Sequence, residues 1–312
     1  MELAIAPRNS DAVDVARSEP LLSGALDGLK LLSVDDYLRY QLAVEAGKQE
    51  SWGYYFPFLL TCTRPGRSAM LMAEDNDSIC IFRWRLRNGR PKLEIMLAPT
   101  PMDPAVLRHC IERANDFNAD RSARVLRVDS KDMAAVQAAG LRVRPRKEQY
   151  VYAPENYRQL SGKKLYTVRR NVAFVEKLPD VEVRPFAPEH DAACRRLLSR
   201  WRDEHRARHG TLGGVGTSRR ALDLASILPA GAMRGEVVLV DGQLAAFSLG
   251  GQIRSGLACY FERKCDSAIR GLSYFSLRSF LLKLEDFEFV NDSSDAGRAG
   301  LRQLKHSFRP VR

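Results

Sequence analysis

The 312-residue sequence has no run of about 18 apolar residues, the length a helix needs to cross a bilayer. Its first residues, MELAIAPRNSDAVDVARSEP, place Glu2 near the front and no basic segment ahead of a long apolar stretch. This does not read as a secretory signal, and residues 1–30 read as a flexible lead-in. The six cysteines (Cys62, Cys80, Cys110, Cys194, Cys259, Cys265) form no CxxC pair and no Cys/His ligand spacing. They read as reduced thiols of a cytoplasmic protein, with no metal site. Histidine is scarce as well, at five residues, and no Ser-His-Asp or Cys-His order can be drawn from the sequence. His205 falls on the apolar side of a helix and reads as a core histidine, and His209 as a helix-end charge beside the glycine-rich stretch Gly210–Gly216. Neither a Walker loop nor a dinucleotide fingerprint is present, because Gly213-Gly214-Val215-Gly216 follows a helix instead of a strand.

Acidic residues are in deficit. Lys and Arg total 49 against 38 Asp and Glu, a net charge of +11, and this excess points to a polyanionic partner: nucleic acid, an anionic membrane surface or a phosphorylated substrate. The length suits two domains of about 150 residues each. Periodicity supports that division. In the first half, Val34–Ala46 reads as a helix capped by Ser33, Trp52–Thr63 as a buried loop entering a strand, and Ala69–Ala73 and Ser78–Arg85 as a hairpin. Lys92–Ala98 reads as a strand, Pro104–Phe117 as a helix, Arg124–Val128 as a strand and Met133–Ala139 as a helix. The second half repeats the rhythm: strand Val181–Phe186, helices Asp191–His209 and Arg219–Leu228, and a hairpin about Asp241-Gly242. Strand Leu257–Phe261, helix Leu272–Leu284, strand Phe287–Val290 and helix Leu301–Phe308 complete an α/β pattern.

The basic excess clusters. Between Lys163 and Lys177, Leu165, Val168, Val172 and Val175 form an apolar stripe at helical spacing. Lys163, Arg170 and Lys177 recur every seven residues on the opposite face, with Lys164 and Arg169 to the sides and only Glu176 opposing them. Such a face suits the tracking of phosphates. A second concentration, Arg195–Arg208, is diluted by Asp203 and Glu204.

The end of the sequence, VNDSSDAGRAGLRQLKHSFRP over Val290–Pro310, resembles the ending of the phosphatidylglycerol lysyltransferase C-terminal domain family, N-x-x-x-D-x-G-x-x-G-L-R-x-x-K-x-S-[YF]-x-P. Asn291, Asp295, Gly297, Gly300, Leu301, Arg302, Lys305, Ser307, Phe308 and Pro310 fall in register. Leu160–Asn171 (LSGKKLYTVRRN) is similar to that family's L-x-G-K-K-x-x-x-x-R-N signature, and Glu262–Gly271 (ERKCDSAIRG) to its E-K-x-D-x-x-I-R-G segment. The resemblance covers about residues 31–312. It implies two tandem GNAT-like α/β domains (α+β in the wider sense), with mixed sheets flanked by helices. Their expected extents are 31–160 and 161–312, the second including the basic helix 163–177 as a bridge between them.

The resemblance also implies transfer of an aminoacyl group from an aminoacyl-tRNA, which serves as co-substrate with no further cofactor. The acceptor would be a lipid head group or a small-molecule amine or hydroxyl, with peripheral contact to an anionic membrane. Because the ester is already activated, the protein has only to position the acceptor, take its proton and stabilise an oxyanion. Asp266 reads as the base for the acceptor, as a helix cap or as a salt-bridge partner of Arg270, and Arg270 as a phosphate or adenosine contact at a helix start. Glu262 reads as a second base or an edge carboxylate. Asp295 reads as a partner of Arg302 or as an anchor for the α-amino group, and Asn291 joins these as a substrate contact. Lys305, flanking the apolar stripe of its helix, either snorkels to solvent or meets the oxyanion or a terminal phosphate. Lys163, Lys164, Arg169, Arg170 and Lys177 are the expected tRNA contacts. Coenzyme A-dependent N-acyl transfer is an alternative, although Arg270-Gly271-Leu272-Ser273-Tyr274 lacks the glycine spacing of a coenzyme A pyrophosphate loop. A non-catalytic RNA- or lipid-binding module is another.

Overall fold

The computed structural model describes residues 26, 28–209, 215–229 and 231–312. Most of the expected lead-in, residues 210–214 of the glycine-rich stretch and the His209 side chain lie outside the described residues. The first elements are β1 (Lys30–Leu31), α1 (Tyr37–Ala46) and α2 (Phe56–Thr61). Then come β2 (Ser68–Asp75), β3 (Ser78–Arg87), β4 (Arg90–Thr100), α3 (Pro104–Asn118), β5 (Val125–Arg127) and α4 (Met133–Ala138). The later part runs β6 (Val151–Tyr152), α5 (Tyr166–Glu176), β7 (Val181–Pro185), α6 (Asp191–His209), α7 (Val215–Ala225) and β8 (Arg234–Val240). It ends with β9 (Gln243–Arg254), β10 (Leu257–Cys265), α8 (Leu272–Lys283), β11 (Phe289–Asn291) and α9 (Ala299–Ser307).

The chain divides into two compact units. One joins the residues up to Asp36 to Cys62–Leu141, and the other joins Tyr37–Thr61 to Arg142–Arg312. The segments 37–61 and 142–160 therefore group with the second unit, not with a first half of 31–160. The reason is long-range pairing. β6 pairs antiparallel with β11, and Val151 exchanges backbone hydrogen bonds with the last residues of the chain, Val311 and Arg312.

In the first unit, five strands lie in the order β1-β2-β3-β4-β5, antiparallel except for the parallel pair β4 and β5. Alternate residues Leu71, Phe82, Trp84 and Ile95 face Val106, Cys110 and Ala114 of α3 in one apolar cluster. Asp103 starts α3 by accepting the Ala105 amide at 2.7 Å, ahead of the expected Pro104.

The second unit has six strands in the order β6-β11-β10-β9-β8-β7, again with one parallel pair, β10 and β11. α8 covers one face. Phe280 and Leu277 of α8 join Tyr260, Val290, Val168 and Val172 in a cluster that also holds Leu304 and Phe308. On the opposite face, Tyr55 lies edge-on to Phe261, and the Tyr55 hydroxyl donates to the Ala232 carbonyl at 2.9 Å. The fold is the expected class, mixed α/β with two mixed sheets flanked by helices.

Some local expectations change. Trp52–Thr63 is a 3₁₀ turn followed by helix α2, not a loop entering a strand. Tyr54, Tyr55, Phe56 and Leu59 are all buried, so no polar face marks the helical period. α7 begins at Val215 and takes Gly216 into its first turn, ahead of the expected start at Arg219. β10 continues to Cys265, past the expected Phe261.

Candidate functional site

Beyond the Cys259–Asn291 pair, β10 runs on without β11, and the chain after β11 turns away. The residues of the C-terminal motif hold that turn. Asn291 is buried; its amide nitrogen donates to the Glu50 carbonyl at 3.1 Å and to Gln149 Oε1 at 2.7 Å, and its oxygen accepts the Ser293 amide at 2.9 Å. Asp295 accepts from Arg302 Nε at 2.6 Å, from the Gly297 amide at 2.7 Å and from the Tyr150 hydroxyl at 3.2 Å.

Lys305 is 2% exposed. Its Nζ donates to the Asp292 carbonyl, lies 3.1 Å from Asp292 Oδ2 and 3.4 Å from the Ser293 carbonyl, and sits 5.3 Å from the Tyr150 ring centroid. Burial pulls its pKa below the usual lysine value, against the Asp292 carboxylate that supports the charge. Lys305 thus neither snorkels to solvent nor stands free to meet a substrate. It ties the turn after β11 to the base of α9.

The other two motif blocks meet each other. Gly271, at φ +83°, precedes α8, and a Cβ there would lie 2.2 Å from the Asn171 carbonyl of α5. Only glycine allows this approach. Arg270 stacks its guanidinium 3.9 Å from the centroid of the Phe174 ring, also on α5. Asp266 accepts the Ala268 amide at 2.9 Å, a turn-holding bond, and its other oxygen lies 3.7 Å from Arg200 of α6. On α5, Val168, Val172 and Val175 are buried as the stripe requires. Arg169 donates to the Leu160 and Gly162 carbonyls at 2.6 and 3.2 Å, so it pins the incoming turn. Glu176, the expected opposing charge, lies 3.6 Å from Arg278 of α8.

A polar cluster of which the sequence marks only Glu262 as a candidate lies on the other face of the second unit's sheet. Glu262 and Lys264 are two apart on β10 and share that face, with Glu262 Oε2 2.6 Å from Lys264 Nζ. The same oxygen accepts from the buried Ser218 hydroxyl of α7 at 2.9 Å. Lys264 lies 4.9 Å from the Trp201 ring centroid on α6, and His205 stacks on that indole at 4.0 Å. His205 is half-buried, its Nδ1 3.0 Å from the Trp201 carbonyl. Glu262 is therefore no edge carboxylate. Its sequence signal is the alternation Glu262-Arg263-Lys264, which puts opposite charges on one face of a strand. Ser218 and Trp201 reach it through tertiary packing alone. Among the described residues, no group of three or more His, Cys, Asp and Glu is gathered to hold a metal, and no helix is long and apolar enough to cross a membrane.

The sequence profile of the phosphatidylglycerol lysyltransferase, C-terminal family matches residues 50–312. The chain belongs to this family. Its fold is also that of solved members and relatives. A conserved protein of unknown function from Bacteroides thetaiotaomicron shares 24% identity at a TM-score of 0.77, over 91% of this chain and 96% of that one. The L-PGS structure from Bacillus licheniformis shares 15% at a TM-score of 0.63, over 90% of each chain. The C-terminal domain of a putative lysylphosphatidylglycerol synthetase from Agrobacterium fabrum shares 16% at 0.61, over 89% and 90%. No curated protein matches the chain.

Within this family member, the Asp295–Arg302 pair makes a pH prediction. Arg302 first, and then the Gly297 amide, hold the Asp295 carboxyl down at about 2. An unfolded aspartate titrates near ~3.9, so the pair stabilises the fold above about pH 4, and that contribution is lost as pH falls toward 2. Acid unfolding of Asp295→Asn should show a clear loss of stability against wild type at pH 5 and a closing gap near pH 2. A gap independent of pH would mean that packing, not the charge, matters there.

Proposed function

We propose that the protein transfers an aminoacyl group from an aminoacyl-tRNA to an amine or hydroxyl of a small molecule or lipid head group. Membership of the phosphatidylglycerol lysyltransferase C-terminal family supports the reaction class. The observation that carries the donor is the exposed face of α5. Lys163, Lys164, Arg170 and Lys177 have no carboxylate partner among the described residues, and two rings stand among these cations, Tyr166 at 54% and Phe174 at 37% exposure. Arg169 and Arg170 flank the Tyr166 ring at 5.8 and 5.9 Å. Cations suit a phosphate backbone, and exposed rings suit the unpaired bases at the end of an acceptor stem, each stacked base contributing about 1–3 kcal/mol. Coenzyme A offers one adenine and no such run of phosphates.

In this reading the acceptor nitrogen or oxygen attacks the ester carbonyl. A new C–N or C–O bond forms, the bond to the terminal ribose oxygen breaks, and the acceptor's proton ends on that ribose hydroxyl. Glu262 takes the proton, with Lys264 and Ser218 holding the carboxylate, while Asp266 and Arg270 belong to the neighbouring loop that receives the tRNA end. Asn291, Asp295, Arg302 and Lys305 set the shape of the turn around the substrate. The donor places the reaction in the cytoplasm, and an anionic bilayer enters only as a source of acceptor.

The test is incubation of the protein with a mixture of radiolabelled aminoacyl-tRNAs, with and without phosphatidylglycerol vesicles or soluble amines. Label should leave the tRNA for a lipid or small-molecule fraction, and RNase pretreatment should abolish this. No transfer from any aminoacyl-tRNA, together with release of free thiol from acyl-coenzyme A, would replace the donor. A second measurement addresses α5. Replacing Lys163, Arg170 and Lys177 together with Ala should flatten the salt dependence of tRNA binding, by about 0.7–0.9 in log–log slope for each phosphate no longer neutralised. Unchanged binding at low and high salt would leave α5 an ordinary solvated face.

A further inference from the structure

A concentration of positive charge that the proposed site does not use lies at one end of the first unit's sheet. β3 and β4 are joined by Asn88-Gly89, both left-handed at φ 51° and 74°, the geometry of a tight two-residue hairpin turn. That turn fixes the register, which sets Arg87 directly opposite Arg90 and Arg85 directly opposite Lys92. Like charges facing each other across a ladder destabilise it. Arg85 and Lys92 each have a carboxylate partner, but the facing of Arg87 and Arg90 is a cost that neither the hairpin nor the core explains.

The neighbouring strands add to the same end. Arg64 and Arg67 lead into β2, and the Arg67 carbonyl accepts the Leu86 amide at 3.0 Å. Arg121 and Arg124 lead into β5, and the Arg124 carbonyl accepts the Ile95 amide at 3.3 Å. Compensation is small. Buried Glu94 alone serves Arg83, Arg85 and Arg124, at 2.6, 2.8 and 3.3 Å, and Asp120 serves Lys92 at 3.1 Å. Arg64, Arg67, Arg87, Arg90 and Arg121 are exposed and have no carboxylate partner among the described residues. The other acidic residues of this sheet, Glu74, Asp75 and Asp77, lie at the β2–β3 turn, at the far end of β3. A strand rises about 3.4 Å per residue, so β3 separates the two ends by roughly 30 Å, several times the Debye length of about 8 Å at physiological salt. The acidic end therefore does not neutralise the basic one.

We infer that this end of the first unit is a docking surface for the phosphate backbone of RNA. The cations are nearly all arginine, whose planar fork matches phosphate oxygens two at a time. Glu94 holds Arg83 and Arg85 in place before any ligand arrives, which lowers the entropy lost on binding. A membrane surface would need several apolar side chains to insert among the cations, and among the described residues Leu86, 40% exposed, is the one exposed large apolar side chain of this end. The inference rests on the aminoacyl-tRNA reading only for the identity of the RNA, which would bind here as well as at α5.

The test uses the full chain carrying R87A/R90A/R121A, labelled deacylated bulk tRNA at several salt concentrations, and separate vesicles of phosphatidylglycerol and phosphatidylcholine. Affinity for tRNA should fall at least tenfold and the log–log salt slope by about 2, at roughly 0.7–0.9 per phosphate. The unfolding temperature of R87A/R90A should hold or rise, because an unfavourable pair has been removed. Unchanged tRNA affinity and slope would overturn the inference, as would loss of vesicle binding alone, or a destabilised R87A/R90A that binds tRNA normally. Wild-type protein that transfers label while the triple variant binds tRNA normally would sink this inference and spare the proposed function. Wild-type protein that binds tRNA through these arginines yet never transfers would do the reverse, and wild-type protein that binds no RNA would sink both.

Discussion

Replacing Lys305 with alanine is expected to destabilise the protein by about 3–5 kcal/mol, not merely to slow a reaction. The ammonium is buried against Asp292 Oδ2 and the carbonyls of Asp292 and Ser293, and no solvent path softens their mutual attraction. Removing it leaves a buried carboxylate without its cation and the Asp292 carbonyl without its donor, whereas the Ser293 carbonyl keeps the Tyr150 amide at 3.0 Å, and such stranded groups carry their full desolvation penalty. A unit of this size should lose roughly 10 °C in unfolding temperature. Thermal unfolding checks this, with Lys305→Ala/Asp292→Asn as the companion. The double variant removes the stranded charge and should recover part of the loss. A Lys305→Ala protein with wild-type unfolding and no activity would return the lysine to the role of oxyanion partner.

That lysine shows how far the sequence could be read. The motif around it was legible residue by residue, and Asn291, Asp295, Arg302 and Lys305 do gather in one turn. Their spacing could not say that they would bond mainly to each other and to backbone, because Glu50, Gln149 and Tyr150, which complete the turn, lie far away in sequence. Elements with local determinants were legible. α6 spans Asp191–His209 as its periodicity predicts, and β8 and β9 meet at Asp241-Gly242, both at positive φ. Elements whose character depends on what covers them were not. α2 is apolar on every side, and β6 has two residues whose partner, β11, lies at the opposite end of the second unit's sequence. The arginines of RWRLRNGRPK were in plain view, but their meaning depends on register: one residue of slip would end the facing of Arg87 with Arg90.

The largest expected effect on rate belongs to Glu262. Glu262→Gln keeps the length of the side chain and an oxygen for the Ser218 hydroxyl but removes the base, and should lower kcat of aminoacyl transfer by about 10²–10⁴, the usual contribution of a positioned general base. KM for the acceptor should change little, because proton removal matters in the transition state rather than in binding. The substitution also strands Lys264, which is buried under Trp201 with Glu262 2.6 Å away, so lost activity could reflect a disturbed sheet. The double variant Glu262→Gln/Lys264→Met separates the two causes. It removes both charges from the site, and replacing a buried pair by uncharged groups is often neutral for stability. If Glu262 handles the proton, the double variant unfolds like wild type and remains slow. If Glu262 serves only to neutralise Lys264, the double variant recovers both stability and rate, and the base must be sought on the loop that carries Asp266.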